Sequence, residues 1–258
     1  MLERLGAISP RNQRILLILG CAVLFCVWFV RVPLIEPDET RYTEATREMV
    51  ASANYIIPHY NFEHRFQKPI FYYWVQSAAR IAFGPSEAAA RFPSALFAIA
   101  MVFLLHGFLM RWLRRWAGKD NEQKQKVAQG TAFLGAISLA ILPLIAIWTR
   151  VAVTDITLTF FITGALISLL QASLEEKRPT GWYLLAAFFC GMAFLTKGPI
   201  GIAIPGLVWL VFHIRQKTIL SELRRVPWVL AILILLAINL PWYLSTLYTK
   251  DGSGFLRQ

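Results

Sequence analysis

The chain has 258 residues, of which 57% are hydrophobic and only 16% are charged. A soluble domain usually carries about a quarter of its residues as charged ones, so the composition excludes an ordinary soluble domain and indicates a polytopic membrane protein. The net charge of +11 is compatible with nucleic-acid binding, but the placement of the basic residues argues against a nucleic-acid partner. The three cysteines lie inside apolar runs and indicate no disulfide framework.

Seven apolar segments are predicted to cross the membrane as α-helices, because a helix satisfies its own backbone polar groups. The first segment follows three arginines but has no small-residue cleavage site, so we interpret it as an uncleaved span. The predicted fold class is therefore all-α. The spans cover about 15–35, 92–110, 127–148, 154–173, 182–196, 199–214 and 227–248.

The basic residues predict the orientation. If the N-terminus is cytoplasmic, 15 of the 26 lysines and arginines lie on the cytoplasmic side, in the N-terminal tail and three connecting segments. Cytoplasmic segments of membrane proteins carry such an excess. The net charge is thus mainly a topology signal, and residues 36–91 are predicted to form a long outer loop.

Two amphipathic surface helices are predicted in this loop. In "PDETRYTEATREMV", apolar residues recur at helical spacing after Asp38, a candidate N-cap, while Glu48 is assigned to the polar face. A second helix is predicted in "KPIFYYWVQSAARIAFG", with Pro69 at its first position. Its aromatic cluster "FYYW" is interpreted as an interfacial belt.

Charged residues gather at the outer ends of the predicted spans, and none lies in the middle of a span. An ion-coupled transporter would place ionisable groups inside its spans, so a transporter or flippase is disfavoured. A polar site at the outer face is predicted instead. Its candidate residues are Asp38, Glu39, Arg41, Tyr42, Lys68, Arg150, Asp155 and Lys197.

Each charged candidate also has a structural interpretation. The acidic pair could stabilise a helix N-terminus, Lys68 could reach towards the membrane interface, and Arg150 could pair locally with Asp155. Two features favour a site. Lys68 beside a helix N-terminus is suited to binding phosphate, and Lys197 ends a short apolar segment just before "GP".

The sequence resembles a known family in five motifs. "PDETRYTEATREMVASANYIIPH", "FQKPIFYYW", "TRVAVTD", "GMAFLTKGP" and "NLPWYL" follow one another in this order. They resemble the bacterial lipid-phosphate-dependent glycosyltransferases of the GT-C fold, which include undecaprenyl-phosphate aminoarabinose transferases and protein mannosyltransferase-like proteins. The resemblance implies one GT-C transmembrane domain over residues 1–258, in the bacterial inner membrane, with its site facing the periplasm.

The resemblance also implies residue roles. Asp38 matches the catalytic acid of the first outer loop, with Arg41 and Tyr42 in the same motif. Lys68 matches a lysine near the donor phosphate, and Asp155 matches an acid in the same cavity. Gln67 stands where relatives often have glutamate. Family members are about twice this length, so the chain is expected to be a fragment or a truncated gene product.

The residue types support an inverting transfer. A polyprenyl-phosphate-linked sugar would be the donor, and a lipid such as lipid A, or a protein, would be the acceptor. Lys68 and Lys197 would stabilise the leaving phosphate, and Asp38 would act as general base, with Glu39 as the second candidate catalytic acid. No cofactor is indicated, although Asp38 and Glu39 could share a divalent metal. A non-catalytic membrane scaffold remains the alternative.

Overall fold

The computed structural model describes residues 1–27, 33–118, 121–175 and 179–248. Within these ranges the chain is helical except for one antiparallel pair of two-residue strands. The elements are α1 (Leu2–Gly6), α2 (Pro10–Cys26), α3 (Asp38–Ser52), β1 (His59–Tyr60), β2 (Glu63–His64), α4 (Phe71–Phe83), α5 (Glu87–Ala117), α6 (Glu122–Ile141), α7 (Pro143–Thr149), α8 (Asp155–Leu174), α9 (Thr180–Lys197), α10 (Ile200–Arg215), α11 (Ile219–Arg225) and α12 (Trp228–Tyr248).

Every predicted apolar segment contains a helix, and the all-α membrane architecture is confirmed at this level. Among the described residues, three helices, α5, α8 and α12, are long and apolar enough to cross a membrane. A fourth span results if α6 and α7 are one span, bent by 58°. The bend lies at Pro143, which has no N–H to continue the hydrogen bonding of α6. The number of seven spans stays a prediction, and residues 28–32 of the first segment lie outside the described residues.

The helices pack through small side chains. Ala98 of α5 and Ala136 of α6 are fully buried in a cluster with Phe25 of α2 and Met101 of α5. Small residues let membrane helices approach closely. Elsewhere, α9 packs against α8 and α12. The bundle thereby holds the N-terminal end of α8 beside the C-terminal end of α9.

Helix α3 forms in the predicted outer loop, with two corrections. Asp38 is its first helical residue rather than its N-cap, which is Pro37, and no side chain makes a capping hydrogen bond. Glu48, assigned to the polar face, is buried because its carboxylate accepts hydrogen bonds from the N–H of Phe62, at 3.1 and 3.3 Å. Periodicity alone does not show a chain reversal that returns a backbone donor to α3.

Helix α4 also differs in detail from the prediction. It begins at Phe71 with Ile70 as N-cap, so Pro69 lies two residues before the helix. Tyr72 and Tyr73, assigned to an interfacial belt, are fully buried. They pack against Tyr42 of α3, with ring centroids 5.3 and 5.6 Å apart. Tyr72 and Tyr73 therefore join α4 to α3, whereas Trp74 is exposed.

Candidate active site

The acidic pair at the start of α3 contains two different carboxylates. Asp38 is exposed, and within the described residues its side chain forms no hydrogen bond or ion pair. Glu39 is completely buried and binds Arg91 of α5 through two hydrogen bonds of 2.9 Å. Adjacent side chains on a helix point about 100° apart, so one can face a site while the other enters the protein.

Glu39 also joins two backbone segments. Its carboxylate accepts the N–H of Ile35 and the N–H of Ala152, both at 2.7 Å. Burial by itself raises the pKa of Glu39. The hydrogen bonds from Arg91, Ile35 and Ala152, with the positive charge of Arg91, outweigh burial and leave the pKa below its usual value. Glu39 is therefore a charged anchor between α3, α5 and the segment that precedes α8.

Tyr42 brings α3 against the start of α8. It lies one helical turn after Asp38 and therefore on the same face of α3. Its side chain is buried, which raises its pKa to about 12 despite a hydrogen bond with the Thr154 side chain. Because Thr154 immediately precedes Asp155, the face of α3 that carries Asp38 is directed towards the N-terminal end of α8.

Asp155 and Lys197 form an ion pair. The Lys197 ammonium donates to an Asp155 oxygen at 2.8 Å, and the Asp155 side chain remains 46% exposed. Asp155 begins α8 and Lys197 ends α9. Gly198 ends α9 with a φ of 80°, a region that glycine adopts without strain, and so leaves Lys197 at the helix end. Both groups are accessible to a ligand.

Lys197 ends a helix that is longer than the short apolar segment before it, so the length of the helix does not place Lys197 below the membrane surface. The apolar run has 14 residues, but α9 spans 18, from Thr180 to Lys197. A helix of that length measures about 27 Å, close to the apolar thickness of a bilayer. The Lys197 side chain is 26% exposed, so its partial burial results from neighbouring side chains.

The basic residue Arg65 lies against Tyr42 and Tyr73. Arg65 is buried, donates from Nε to the Tyr73 hydroxyl at 2.9 Å, and lies 5.5 Å from the centre of the Tyr42 ring. These contacts fix the hairpin segment that precedes Lys68. Arg65 was not among the predicted site residues.

The remaining candidates occupy different surroundings. Lys68 is half-buried and Arg41 is exposed, and neither side chain forms a hydrogen bond or an ion pair within the described residues. Arg150 donates to the carbonyl of Leu24 in α2, at 2.9 Å, and has no ion pair with Asp155 in this part of the chain. The structure thus joins Glu39, Tyr42, Asp155 and Lys197 through α3 and α8, while Arg150 is directed towards α2.

Divalent metal binding has little structural basis in the described residues. No group of three or more histidine, cysteine, aspartate or glutamate side chains there could hold a metal ion. Both Glu39 oxygens already accept hydrogen bonds from Arg91 and backbone N–H groups. Glu39 is therefore poorly suited to share a metal with Asp38.

Besides Arg65, two further site contributors were missed by the sequence analysis. Arg91 holds Glu39, and Thr154 holds Tyr42. Arg91 offered a signal, because it is a charged residue immediately before a long apolar segment. The structure leaves it only 2% exposed. Such a residue needs a buried partner. The sequence does not show which acid that partner is.

Known proteins are similar to this chain over most of its length. A family profile described as dolichyl-phosphate-mannose-protein mannosyltransferase matches residues 123–244. A curated undecaprenyl phosphate-alpha-4-amino-4-deoxy-L-arabinose arabinosyl transferase from Edwardsiella ictaluri is 35% identical over 234 residues, covering 87% of this chain and 39% of the relative. A similarly named transferase, numbered 2, from Proteus mirabilis is 33% identical, covering 87% of this chain and 40% of the relative.

A solved structure extends the similarity to three dimensions. The crystal structure of ArnT from Cupriavidus metallidurans bound to undecaprenyl phosphate matches with a TM-score of 0.77 and 27% identity, covering 96% of this chain and 44% of that one. The resemblance to GT-C aminoarabinose transferases is confirmed. This chain spans about two fifths of the length of the curated aminoarabinose transferases that it matches.

Proposed function

We propose that this chain forms part of an integral-membrane glycosyltransferase that moves a sugar from a polyprenyl-phosphate donor to an acceptor at the outer face of the membrane. The observation that carries the proposal is the joining of α3, α8 and α9 around Tyr42 and the accessible Asp155–Lys197 pair. The relatives are named as arabinosyl transferases, and the solved relative binds undecaprenyl phosphate. These names support a lipid-phosphate donor and a lipid acceptor such as lipid A.

Asp38 is the proposed general base. Its carboxylate is exposed, whereas that of its neighbour Glu39 is fully engaged in hydrogen bonds. A general base must reach the proton of the attacking hydroxyl, and only an accessible carboxylate can do so. Glu39 was the second candidate catalytic acid beside Asp38, and we assign it a positioning role instead.

The proposed chemistry is a single inverting displacement. The acceptor oxygen attacks the anomeric carbon while the bond from that carbon to the phosphate oxygen breaks, and the phosphate leaves with the bonding electrons. Asp38 takes the proton of a hydroxyl acceptor. A phosphate acceptor is already anionic, so Asp38 would then orient it without removing a proton. One base acting on the attacking group gives inversion, as in inverting hydrolases.

Lys197 and Lys68 are proposed to stabilise the leaving phosphate. Lys197 is paired with Asp155, which keeps its ammonium at the end of α9 until a phosphate competes for it. Lys68 lies three residues before α4, whose first turn has no side-chain cap. Positive charge placed where negative charge develops lowers the barrier to bond cleavage.

Binding of undecaprenyl phosphate to the purified chain tests the donor assignment. In phosphatidylcholine nanodiscs, we expect Lys197→Ala to raise the Kd by about tenfold or more, because a hydrogen bond to a charged group contributes about 1.5–3 kcal/mol. Lys217→Ala is the matched control, since this exposed lysine lies between α10 and α11. An unchanged Kd for Lys197→Ala, or no binding by the wild type, would remove the phosphate role.

A further inference from the structure

A charged cavity lies far from the candidate active site. It has a volume of about 520 Å³ and lies between the N-terminal half of α2 and the C-terminal half of α5. Its polar lining consists of Arg14, His106, Arg111 and Arg114. Twenty helical residues separate Arg111 from Arg91, a distance of about 30 Å. The cavity therefore lies near the opposite end of α5 from the Glu39 anchor.

The positive charge of this cavity is not neutralised by carboxylates. Arg14, Arg111 and Arg114 form no ion pair within the described residues; Arg114 donates to Gln129 at 3.4 Å. His106 is only 5% exposed, and its Nε2 has no hydrogen-bond partner in this part of the chain.

Within the described residues, the acidic side chains near this end of the bundle bind other groups. Glu175 pairs with Arg115, Glu122 pairs with Lys126, and Glu3 accepts a hydrogen bond from Gln123. The cavity is thus a concave site with excess positive charge.

An apolar cavity of about 340 Å³ adjoins the arginines. The two cavities share Phe103, Gly107 and Arg111. The second cavity is lined mainly by apolar side chains, including Leu104, Phe108, Ile167 and Leu185. Arg111, whose guanidinium lies 5.1 Å from the centre of the Trp182 ring, stands between the charged and apolar parts. A ligand that fills both cavities needs an anionic head and an apolar tail.

We propose that the two cavities bind an anionic phospholipid, with its phosphate among Arg14, Arg111 and Arg114 and one acyl chain in the apolar cavity. Guanidinium groups hold phosphate oxygens through paired, directional hydrogen bonds. Basic pockets between membrane helices are suited to anionic head groups. The adjoining apolar cavity favours a lipid over free phosphate. The site is separate from the proposed transferase centre and takes no part in its chemistry.

Lipid retention by the purified chain tests this site. The chain is reconstituted in an equal mixture of phosphatidylglycerol and phosphatidylcholine, re-solubilised, and analysed by native mass spectrometry. We expect wild type to retain phosphatidylglycerol selectively. The triple variant Arg14→Gln/Arg111→Gln/Arg114→Gln should retain at least about tenfold less of it. Arg14→Gln alone, an exposed substitution that is not expected to disturb packing, should give a smaller loss in the same direction.

The control variant changes the same amount of charge elsewhere. Arg215→Gln/Lys217→Gln/Arg224→Gln removes three exposed basic residues on the segment around α11, and it should retain phosphatidylglycerol like the wild type. Equal retention of phosphatidylcholine by the wild type would overturn the proposal. So would unchanged retention in the triple variant and in Arg14→Gln. Displacement of the lipid by excess inorganic phosphate would identify a free-anion site instead.

Discussion

At the scale of single residues, neighbouring carboxylates have separate physical roles. Asp38 is exposed at the start of α3, while Glu39 is held by Arg91 and two backbone N–H groups. The exposed group can exchange protons with a ligand. The buried one is stabilised in its charged form and connects three segments. Substitutions at the two positions should therefore affect different measurements.

Asp38→Asn tests the general base. Asparagine keeps the size and polarity of the side chain but cannot accept a proton at neutral pH. Where the wild type transfers sugar to a hydroxyl acceptor, we expect kcat to fall about 10²-fold or more, with unchanged folding. Glu44→Gln, on the same helix, is the control. Near-wild-type turnover of Asp38→Asn would exclude Asp38 as base and leave Asp155 as the next candidate.

Glu39→Gln tests the anchor. The substitution leaves Arg91 buried without its counter-charge, and removing one partner of a buried pair costs about 3–5 kcal/mol. We expect a loss of this size in denaturant unfolding of the detergent-solubilised chain. Glu44→Gln breaks the exposed pair with Arg47 and should cost about 0–1 kcal/mol. Equal losses for the two variants would contradict an anchoring role.

The same anchor predicts a pH dependence of stability. The folded protein holds the pKa of Glu39 below its usual value of 4.5. The Glu39 contribution is therefore fully present above about pH 4.5 and is lost as the pH falls through the lower folded value. When the free energy of unfolding is measured from neutral pH to below about pH 4.5, Glu39→Gln should lack the acid-dependent loss of stability that the wild type shows. An identical pH profile for wild type and variant would contradict the assignment.

At the scale of elements, the site depends on how α12 holds the segment after α3. Trp242 is buried, and its ring N–H donates to the carbonyl of Ile56 at 2.8 Å. Trp242 also packs in a cluster with Tyr42 and Leu195. A residue late in the chain thus stabilises the loop between α3 and the hairpin.

Trp242→Phe should loosen that loop while keeping an aromatic ring in the cluster. A lost hydrogen bond costs about 1 kcal/mol, which corresponds to about fivefold faster amide exchange at residues 54–57. Hydrogen–deuterium exchange measures this change. Trp228→Phe is the control, because Trp228 donates locally to the Leu223 carbonyl. Unchanged exchange in Trp242→Phe, or equal changes in both variants, would show that α12 does not hold the loop.

At the scale of the whole molecule, the orientation in the membrane follows from the distribution of basic residues. The loop that contains α3 and α4 is predicted to lie outside, and the segment around α11 inside. Ser52 and Ser221 are exposed residues on these two segments. They are therefore suitable positions for a topology measurement.

Cysteines introduced at Ser52 and Ser221 should be labelled from opposite sides of the membrane. With the three native cysteines replaced, Ser52→Cys should react with an impermeant thiol reagent in intact spheroplasts, and Ser221→Cys only after lysis. Labelling of Ser52→Cys only after lysis would reverse the topology and remove the outer-face site assignment.

Local features of the sequence predicted the elements well. Every apolar segment contains a helix, because apolar length and helical periodicity belong to neighbouring residues. The predicted starts of the helices were less exact. Asp38 is the first helical residue and Pro69 lies before α4, because capping depends on the path of the preceding chain. The motifs also predicted the similarity to aminoarabinose transferases.

The pairing of groups within the site was decided by tertiary structure alone. The sequence placed two candidate acids, Asp38 and Glu39, side by side, but packing buried Glu39 against Arg91, 52 residues away, and left Asp38 accessible. Asp155 could have paired with nearby Arg150, yet it binds Lys197, 42 residues later, because the start of α8 lies beside the end of α9. Which distant charges meet depends on how the helices pack, since each buried charge must find its partner in space.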